Sequence, residues 1–161
     1  MIRSANLLDT TAICEIYNHY VTHTIVTFEE TAVSAAEMEE RIRIISAKYP
    51  YLAWEDSEGI NGYAYVNKWK ERVAYRQTAE LSIYVRNGFQ GRGIGRKLMD
   101  SLLNEIYKTD IHVLISGIVI PNDICIALHE KFGFKKIAHF SEVGFKFGKW
   151  LDVGNWELIL K

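Results

Sequence analysis

Cysteine and proline are scarce, with two of each in 161 residues. Cys14 and Cys125 fit no metal or redox spacing, and both fall in helix-like segments. They read as reduced packing residues, which points to a cytoplasmic chain. A net charge of −1 leaves no general electrostatic grip on nucleic acid or on an anionic membrane surface. The start, MIRSANLLDTT, lacks the apolar core of a signal peptide. The longest apolar run, near Val113 to Ile120, is too short to span a bilayer. Low-complexity tracts, internal repeats and obvious linkers are all missing. With 48% hydrophobic residues, the chain reads as one domain over residues 1–161 with a full core.

What is present centres on Thr78 to Tyr107. Ala79, Leu81, Ile83 and Val85 alternate with Glu80, Ser82 and Tyr84, the period of a pleated strand. After a glycine-rich turn, Ile94, Leu98, Leu102 and Ile106 recur every four residues, which predicts a helix with one broad buried face. Gly91, Gly93 and Gly95 therefore fall where a strand hands over to a helix N-terminus. Unpaired N–H groups and the positive dipole end make such a place receptive to an anion. The turn is neither G-x-G-x-x-G, because position 96 is Arg, nor a P-loop, because no Gly-Lys-Ser or Gly-Lys-Thr follows.

Along the chain, Ile2 to Asn6 reads as a first strand and Asp9 as the cap of a helix bearing Ile13, Ile16, Tyr17 and Tyr20. His19 and His23 stand four apart on it, but no further ligand completes a metal site, so they read as solvent-facing or cleft-edge residues. Phe28, Glu29 and Glu30 interrupt the helical pattern, either as a loop anchored by Phe28 or as a lip of a substrate pocket. Ser34 and Glu37 form a capping box for the next helix, whose stripe is Met38, Ile42 and Ile45. Tyr51 to Glu55 and Ile60 to Asn67 read as a hairpin around a polar turn. The polar run from Lys68 to Gln77 reads as a loop carrying Lys70, Arg72 and Arg76. The apolar run Ile111 to Ile120 predicts a strand covered on both faces. Pro121-Asn122-Asp123 opens a helix ended by Gly133. Phe134 to Phe140 and Trp150 to Leu160 read as the last two strands. The order β-α-α-β-β-β-α-β-α-β-β is that of an α/β fold with a mixed sheet.

Gln90, Gly93 and Gly95 form Q-x-x-G-x-G, which resembles the pyrophosphate-binding motif of the GNAT superfamily of N-acetyltransferases. The element order agrees, and the resemblance covers essentially the whole chain. It is closest to the phosphinothricin and methionine sulfoximine acetyltransferase branch, on YRQTAELSIYV, QGRGIG, PNDICIALHEKFGF and GKWLDVGNW. The resemblance implies a GNAT fold, with a mixed, mostly antiparallel sheet flanked by helices on both faces. It implies acetyl-CoA as cosubstrate with no metal, a small amino-acid-like amine as acceptor, and a homodimer without nucleic-acid or membrane partners. Acetylation of a protein N-terminus or lysine is the alternative enzyme reading, and a non-catalytic coenzyme A-binding module the alternative to an enzyme.

Acetyl transfer needs a neutral amine, and an α-amino group of pKa about 8 is only roughly one-tenth neutral at pH 7. Glu80, set against the apolar face of its strand, is the candidate base, and the phosphinothricin branch carries a Glu at this point. His129 lies in the last turn of its helix, where the dipole favours a protonated imidazole. It could protonate the leaving thiolate, help take the amine proton, or act only electrostatically. A backbone N–H around Tyr84 or Val85 is expected to polarise the thioester carbonyl. The cofactor set is Tyr84, Val85, Gln90, Gly91, Arg92, Gly93, Ile94, Gly95, Arg96 and Asn122. For the substrate, Phe28 and Glu29 are the candidate lip, and Arg76 the candidate clamp for a carboxylate, with Arg72 and Lys70 next.

Overall fold

The alternating stretch at Thr78–Val85 is an interior strand of one seven-stranded sheet. The structure is a computed structural model that describes residues 1–160. Its elements are β1 (Ile2–Ser4), α1 (Thr10–His23), α2 (Ala35–Ser46), β2 (Tyr51–Asp56), β3 (Gly59–Lys68), β4 (Thr78–Val85), α3 (Ile94–Ile106), β5 (Val113–Ile120), α4 (Asp123–Lys131), β6 (Lys135–Lys146) and β7 (Lys149–Ile159). The sheet order is β1-β2-β3-β4-β5-β7-β6. Every pairing is antiparallel except β4 with β5. This is the mixed, mostly antiparallel α/β sheet expected from the order of elements.

The pleat sorts side chains into two cores. Leu52, Ala64, Val66, Ala79 and Leu81 meet the stripe of α3, with Leu98, Met99 and Leu102 fully buried. On the other face, Tyr51, Ala53 and Tyr63 meet Ile13, Ile16 and Tyr17 of α1 and Ile42 of α2. Glu80, Ser82 and Tyr84 belong by alternation to this second face. A tyrosine array lies there: Tyr63 stacks on Tyr51, Tyr65 and Tyr84 at centroid distances of 5.9, 6.2 and 5.2 Å. The sequence pattern had not suggested this array, because its members are spread over three strands.

Local chemistry departs from the sequence expectation at two places. The first strand ends at Ser4, and Asn6 caps a short 3-10 turn over Leu7–Asp9. Asp9 stands at the N-cap position of α1, but its side chain makes no capping hydrogen bond. Its carboxylate instead accepts both Arg3 guanidinium nitrogens, at 2.8 and 2.7 Å, and the Asn6 N–H at 2.9 Å. A bidentate charged pair is stronger than a neutral cap. The final hairpin is also longer than its apolar pattern suggested. Strand β6 runs through the polar, glycine-bearing stretch to Lys146, and Phe147 and Gly148 make the turn, with φ of 51° and 72°. Two positive φ angles match a two-residue turn to the strand twist. Backbone pairing thus continues where side-chain alternation has ended.

Candidate active site

Strands β4 and β5 pair only at Thr78–Val113, Ala79–Leu114 and Glu80–Ile115, and then diverge. The neighbour on the other side, β3, stays paired with β4 from Ala79 to Val85. The backbone parity of β4 decides which groups face the gap. Arg86 N–H donates to Asn61 O at 2.9 Å, so the even-numbered positions point at β3. Gln77 O accepts from β5-side amides, and Leu81 O accepts the Ser116 hydroxyl at 3.3 Å, so the odd positions point toward β5. Ile83 and Val85 therefore aim their N–H groups into the gap, and Tyr84 does not. Between the two candidates for a carbonyl-polarising amide, this parity favours Val85. The Val85 carbonyl is already occupied by the Tyr20 hydroxyl at 2.5 Å.

Below the gap lies a groove of about 490 Å³, running from the glycine turn past Ile83 and Val85 to Asn122, Cys125 and Leu128. Gly91 and Gly93 have φ of 78° and 79°, and an added Cβ at either would meet nothing within 4 Å. Glycine is required there by backbone conformation, and the space above the backbone is open. Gly93 is the residue before α3, so the first amides of that helix face outward beside Gly91. Gln90 braces the turn by accepting the Gly88 N–H at 2.8 Å. Arg92 lies over the Phe89 ring at 4.2 Å and reaches Glu58 at 3.4 Å, while Arg96 lines the groove. Open glycines, a helix N-terminus and two arginines suit a pyrophosphate, and the apolar floor suits a thin alkyl-amide arm. These residues fit coenzyme A.

The groove leads into a recess of about 50 Å³ bordered by Ser82, Tyr84, Ser116, Gly117 and His129. Gly117, on the border of the recess, lies beside Glu80: a Cβ there would sit 3.4 Å from Asn155 Oδ1 and 3.9 Å from Glu80 Oε1, both ordinary contacts. Glu80 is exposed to solvent, lines neither cavity itself and makes no ion pair among the described residues. The surrounding walls still raise its pKa by desolvation. Glu80 is thus neither a residue of an edge strand nor half of a buried pair. It belongs to an interior strand, at the last position paired to β5 before the two strands part.

His129 differs from its expected state. It is 1% exposed, and its Nδ1 lies 2.8 Å from the Cys125 carbonyl oxygen. That oxygen can only accept, so Nδ1 carries the hydrogen, and in the neutral ring Nε2 keeps the lone pair. Burial lowers the His129 pKa, although the hydrogen bond to Cys125 works in the other direction. Burial thus works against the cation that the end of a helix favours, and the neutral ring offers Nε2 as an acceptor. Its Nε2 is buried without a partner.

The proposed substrate residues lie apart from the two cavities. Phe28 packs beneath Gly144, and Glu29 accepts the Tyr17 hydroxyl and pairs with Arg41 at 2.6 Å. Lys146, 1% exposed, donates to Thr27 O at 2.7 Å from β6. These contacts fasten the segment between α1 and α2, and Val26 is the residue it contributes to both cavities. Arg76 faces solvent after the 3-10 turn Val73–Tyr75, 3.4 Å from Val73 O, and lines neither cavity. Lys70 lies over the rings of Trp69, at 4.6 Å, and Tyr75, at 5.7 Å. Sequence reasoning missed Tyr20, Gly117, Ser116 and Asn155. Only Gly117 left a signal, as a glycine inside an otherwise continuous apolar strand.

A sheet split after one carboxylate, with an anion-binding turn on the following helix, is the architecture of an acyl-CoA-dependent transferase. Over residues 2–154 the chain matches the acetyltransferase (GNAT) domain family, and it belongs to that family. It is 37% identical to an L-methionine sulfoximine/L-methionine sulfone acetyltransferase of Salmonella typhimurium, over 99% of this chain and 94% of that one. Its structure superposes, with a TM-score of 0.96 and 35% identity, on a GNAT superfamily phosphinothricin acetyltransferase from Sinorhizobium meliloti in complex with acetyl-CoA, covering 99% and 88% of the two chains. It also superposes, with a TM-score of 0.97 and 35% identity, on a ribosomal-protein-alanine N-acetyltransferase from Brucella melitensis, covering 99% of each. Among the described residues no three His, Cys, Asp or Glu side chains converge to hold a metal ion, and His19 and His23 stack on each other at 5.1 Å. No helix among them is long and apolar enough to cross a membrane.

Proposed function

We propose that this acetyltransferase N-acetylates the amine of a small amino-acid-like substrate of the methionine sulfoximine, methionine sulfone or phosphinothricin type. The observation that carries the reading is the recess at the end of the groove, where the buried, unpartnered Nε2 of His129 and the Glu80 carboxylate beside Gly117 offer acceptors to an incoming amine. The likeness to relatives named for such substrates supports it.

When bound, acetyl-CoA supplies an activated acetyl group as a thioester. The amides of Gly91 to Gly95, with Gln90, Arg92, Ile94 and Arg96 around them, hold its pyrophosphate. Tyr84, Val85 and Asn122 flank the pantetheine path, and the Val85 N–H is oriented to donate to the oxygen on which charge develops. Glu80 takes the amine proton, directly or through a water, and its raised pKa makes it a stronger base than an ordinary carboxylate. His129 accepts a hydrogen bond at Nε2 and so helps orient the amine or its water. Phe28 and Glu29 set the lip through Val26, and Arg76 clamps the substrate carboxylate, with Arg72 and Lys70 as the next cations. The protein works in the cytoplasm as a homodimer, without metal, nucleic acid or membrane.

The test is release of free coenzyme A with methionine sulfone, methionine sulfoximine and phosphinothricin, against a peptide beginning with alanine. The small acids should turn over far faster. Preference for the peptide, the acceptor suggested by the Brucella likeness, would replace this reading.

A further inference from the structure

Cys125 stands at the passage between the groove and the recess. Four residues, Val26, Ile83, Asn122 and Cys125, border both the groove and the recess. An arm that enters from the glycine turn and delivers an acetyl group to the recess would have to thread the passage these four define. Cys125 alone among them carries a nucleophile, and its thiol is free and half-buried. A second observation marks the same space for a ligand. His129 borders the recess, is 1% exposed, and has an Nε2 without any partner. A buried acceptor left unpaired in the apo chain is one that a bound group can satisfy.

We infer that Cys125 is a site of reversible thiol–disulfide exchange with coenzyme A disulfide, giving a mixed disulfide that fills the cofactor groove and stops acetyl transfer. Cys125 Sγ attacks one sulfur of the coenzyme A disulfide. The new S–S bond joins Cys125 to one coenzyme A as the original S–S bond breaks. The second coenzyme A leaves as a thiolate and takes up a proton equivalent to the one Cys125 sheds. The cysteine is oxidised, one coenzyme A is reduced, and no other oxidant is needed. The inference rests on the coenzyme A reading of the groove.

Selectivity follows from the surroundings. Burial pushes the Cys125 thiol up to about 11, so a disulfide with no hold on the protein meets very little thiolate. Coenzyme A disulfide is held by the glycine turn, and a tethered reactant acts at a high effective concentration. Cys14 is the internal control: it is buried away from both cavities, with Sγ 3.3 Å from Val33 O.

The experiment incubates the full chain with coenzyme A disulfide or glutathione disulfide, with and without acetyl-CoA, and reads intact mass and peptide maps. One coenzyme A per chain should appear at Cys125, at least ~10-fold faster than glutathione. Dithiothreitol should remove it, acetyl-CoA should slow it in proportion to occupancy, and Cys125→Ser should take none. An adduct on Cys14, equal rates for the two disulfides, or no adduct would overturn the inference. Calorimetry with acetyl-CoA separates the two failures. Binding without an adduct sinks only the exchange at Cys125, whereas no binding removes the groove reading and the inference with it.

Discussion

The Nδ1 of His129 lies 2.8 Å from the carbonyl oxygen of Cys125, one helical turn earlier, and this contact sets the tautomer of the histidine. With the hydrogen held on Nδ1, the lone pair of Nε2 is left at the recess. A helix C-terminus would by itself favour the cation, by about 0.3–1 kcal/mol at an exposed site. Here the ring is packed edge-on against Phe134 at 5.1 Å and shielded from water, and burial works against that cation.

That burial has a consequence for stability. The folded-state pKa of His129 is lowered, so below the unfolded value of about 6.5 the unfolded chain binds more protons than the native one. The His129 contribution is therefore complete above pH 6.5 and declines as pH falls from there through the folded pKa. Thermal melts from pH 7.5 down to 5 should show Tm falling less steeply in His129→Gln than in wild type. The same variant should lower kcat roughly 10-fold or more while acetyl-CoA affinity stays within a few-fold. Equal pH slopes would mean that the native ring titrates normally.

Glu80 should define the acid limb of the rate profile. Its pKa is raised by desolvation, so the Glu80 step in kcat/KM should be displaced upward from that of a free carboxylate. Glu80→Gln should cost roughly 10²–10⁴-fold in kcat/KM, with partial recovery at high pH as the amine loses its proton unaided. A fully active Gln variant would make Glu80 a structural residue.

At Gly93 the strain and the charge can be separated. The φ of 79° costs any other residue about 1–2 kcal/mol, and a new Cβ finds open space, so the fold should survive substitution. Gly93→Asp adds a negative charge beside the helix N-terminus, whereas Gly93→Asn adds the same bulk without it. Calorimetry should show acetyl-CoA binding collapsing for Asp and weakened less for Asn. Equal loss in both would leave shape, not charge, as the cause.

Gly144 supports the α1–α2 segment from below. A Cβ there would clash with the Phe28 ring at Cε2 and Cζ, and the ring would have to move. Gly144→Ala should destabilise by roughly 1–3 kcal/mol, read by urea denaturation. With Phe28→Ala in the same chain the clash disappears, so the two changes should be markedly non-additive. Additive losses would mean the ring is not seated on Gly144.

Arg76 bears on substrate orientation, and its solvent-facing side chain lies outside both cavities in the free chain. A guanidinium can hold a carboxylate through two parallel hydrogen bonds, which an ammonium cannot copy. Wild type should therefore prefer an amino acid strongly over its carboxamide. Arg76→Ala should lose most of that preference, mainly through KM, and Arg76→Lys should be a poor substitute. Full preference in Arg76→Ala would hand the role to Arg72 or Lys70.

The sequence by itself determined what short-range chemistry can specify. The four-residue spacing of Ile94, Leu98, Leu102 and Ile106 gave α3 and its buried face, because a helix is built from contacts three and four residues apart. The two glycines that need positive φ placed the anion-binding turn at its start. Alternation set Glu80 against the apolar face of its strand, and the order of elements agreed with the family. Tertiary structure decided the rest, since the deciding partners are far away in sequence. The parting of β4 from β5 after Glu80–Ile115 depends on pairing between residues more than thirty positions apart. The lowered pKa of His129 depends on what shields it from water, and a helix position cannot report that. The segment at Phe28 to Glu30 looked like either a loop or a pocket lip. Its conformation was settled by Arg41, Gly144 and Lys146, because a short polar segment takes its shape from whatever it is anchored to.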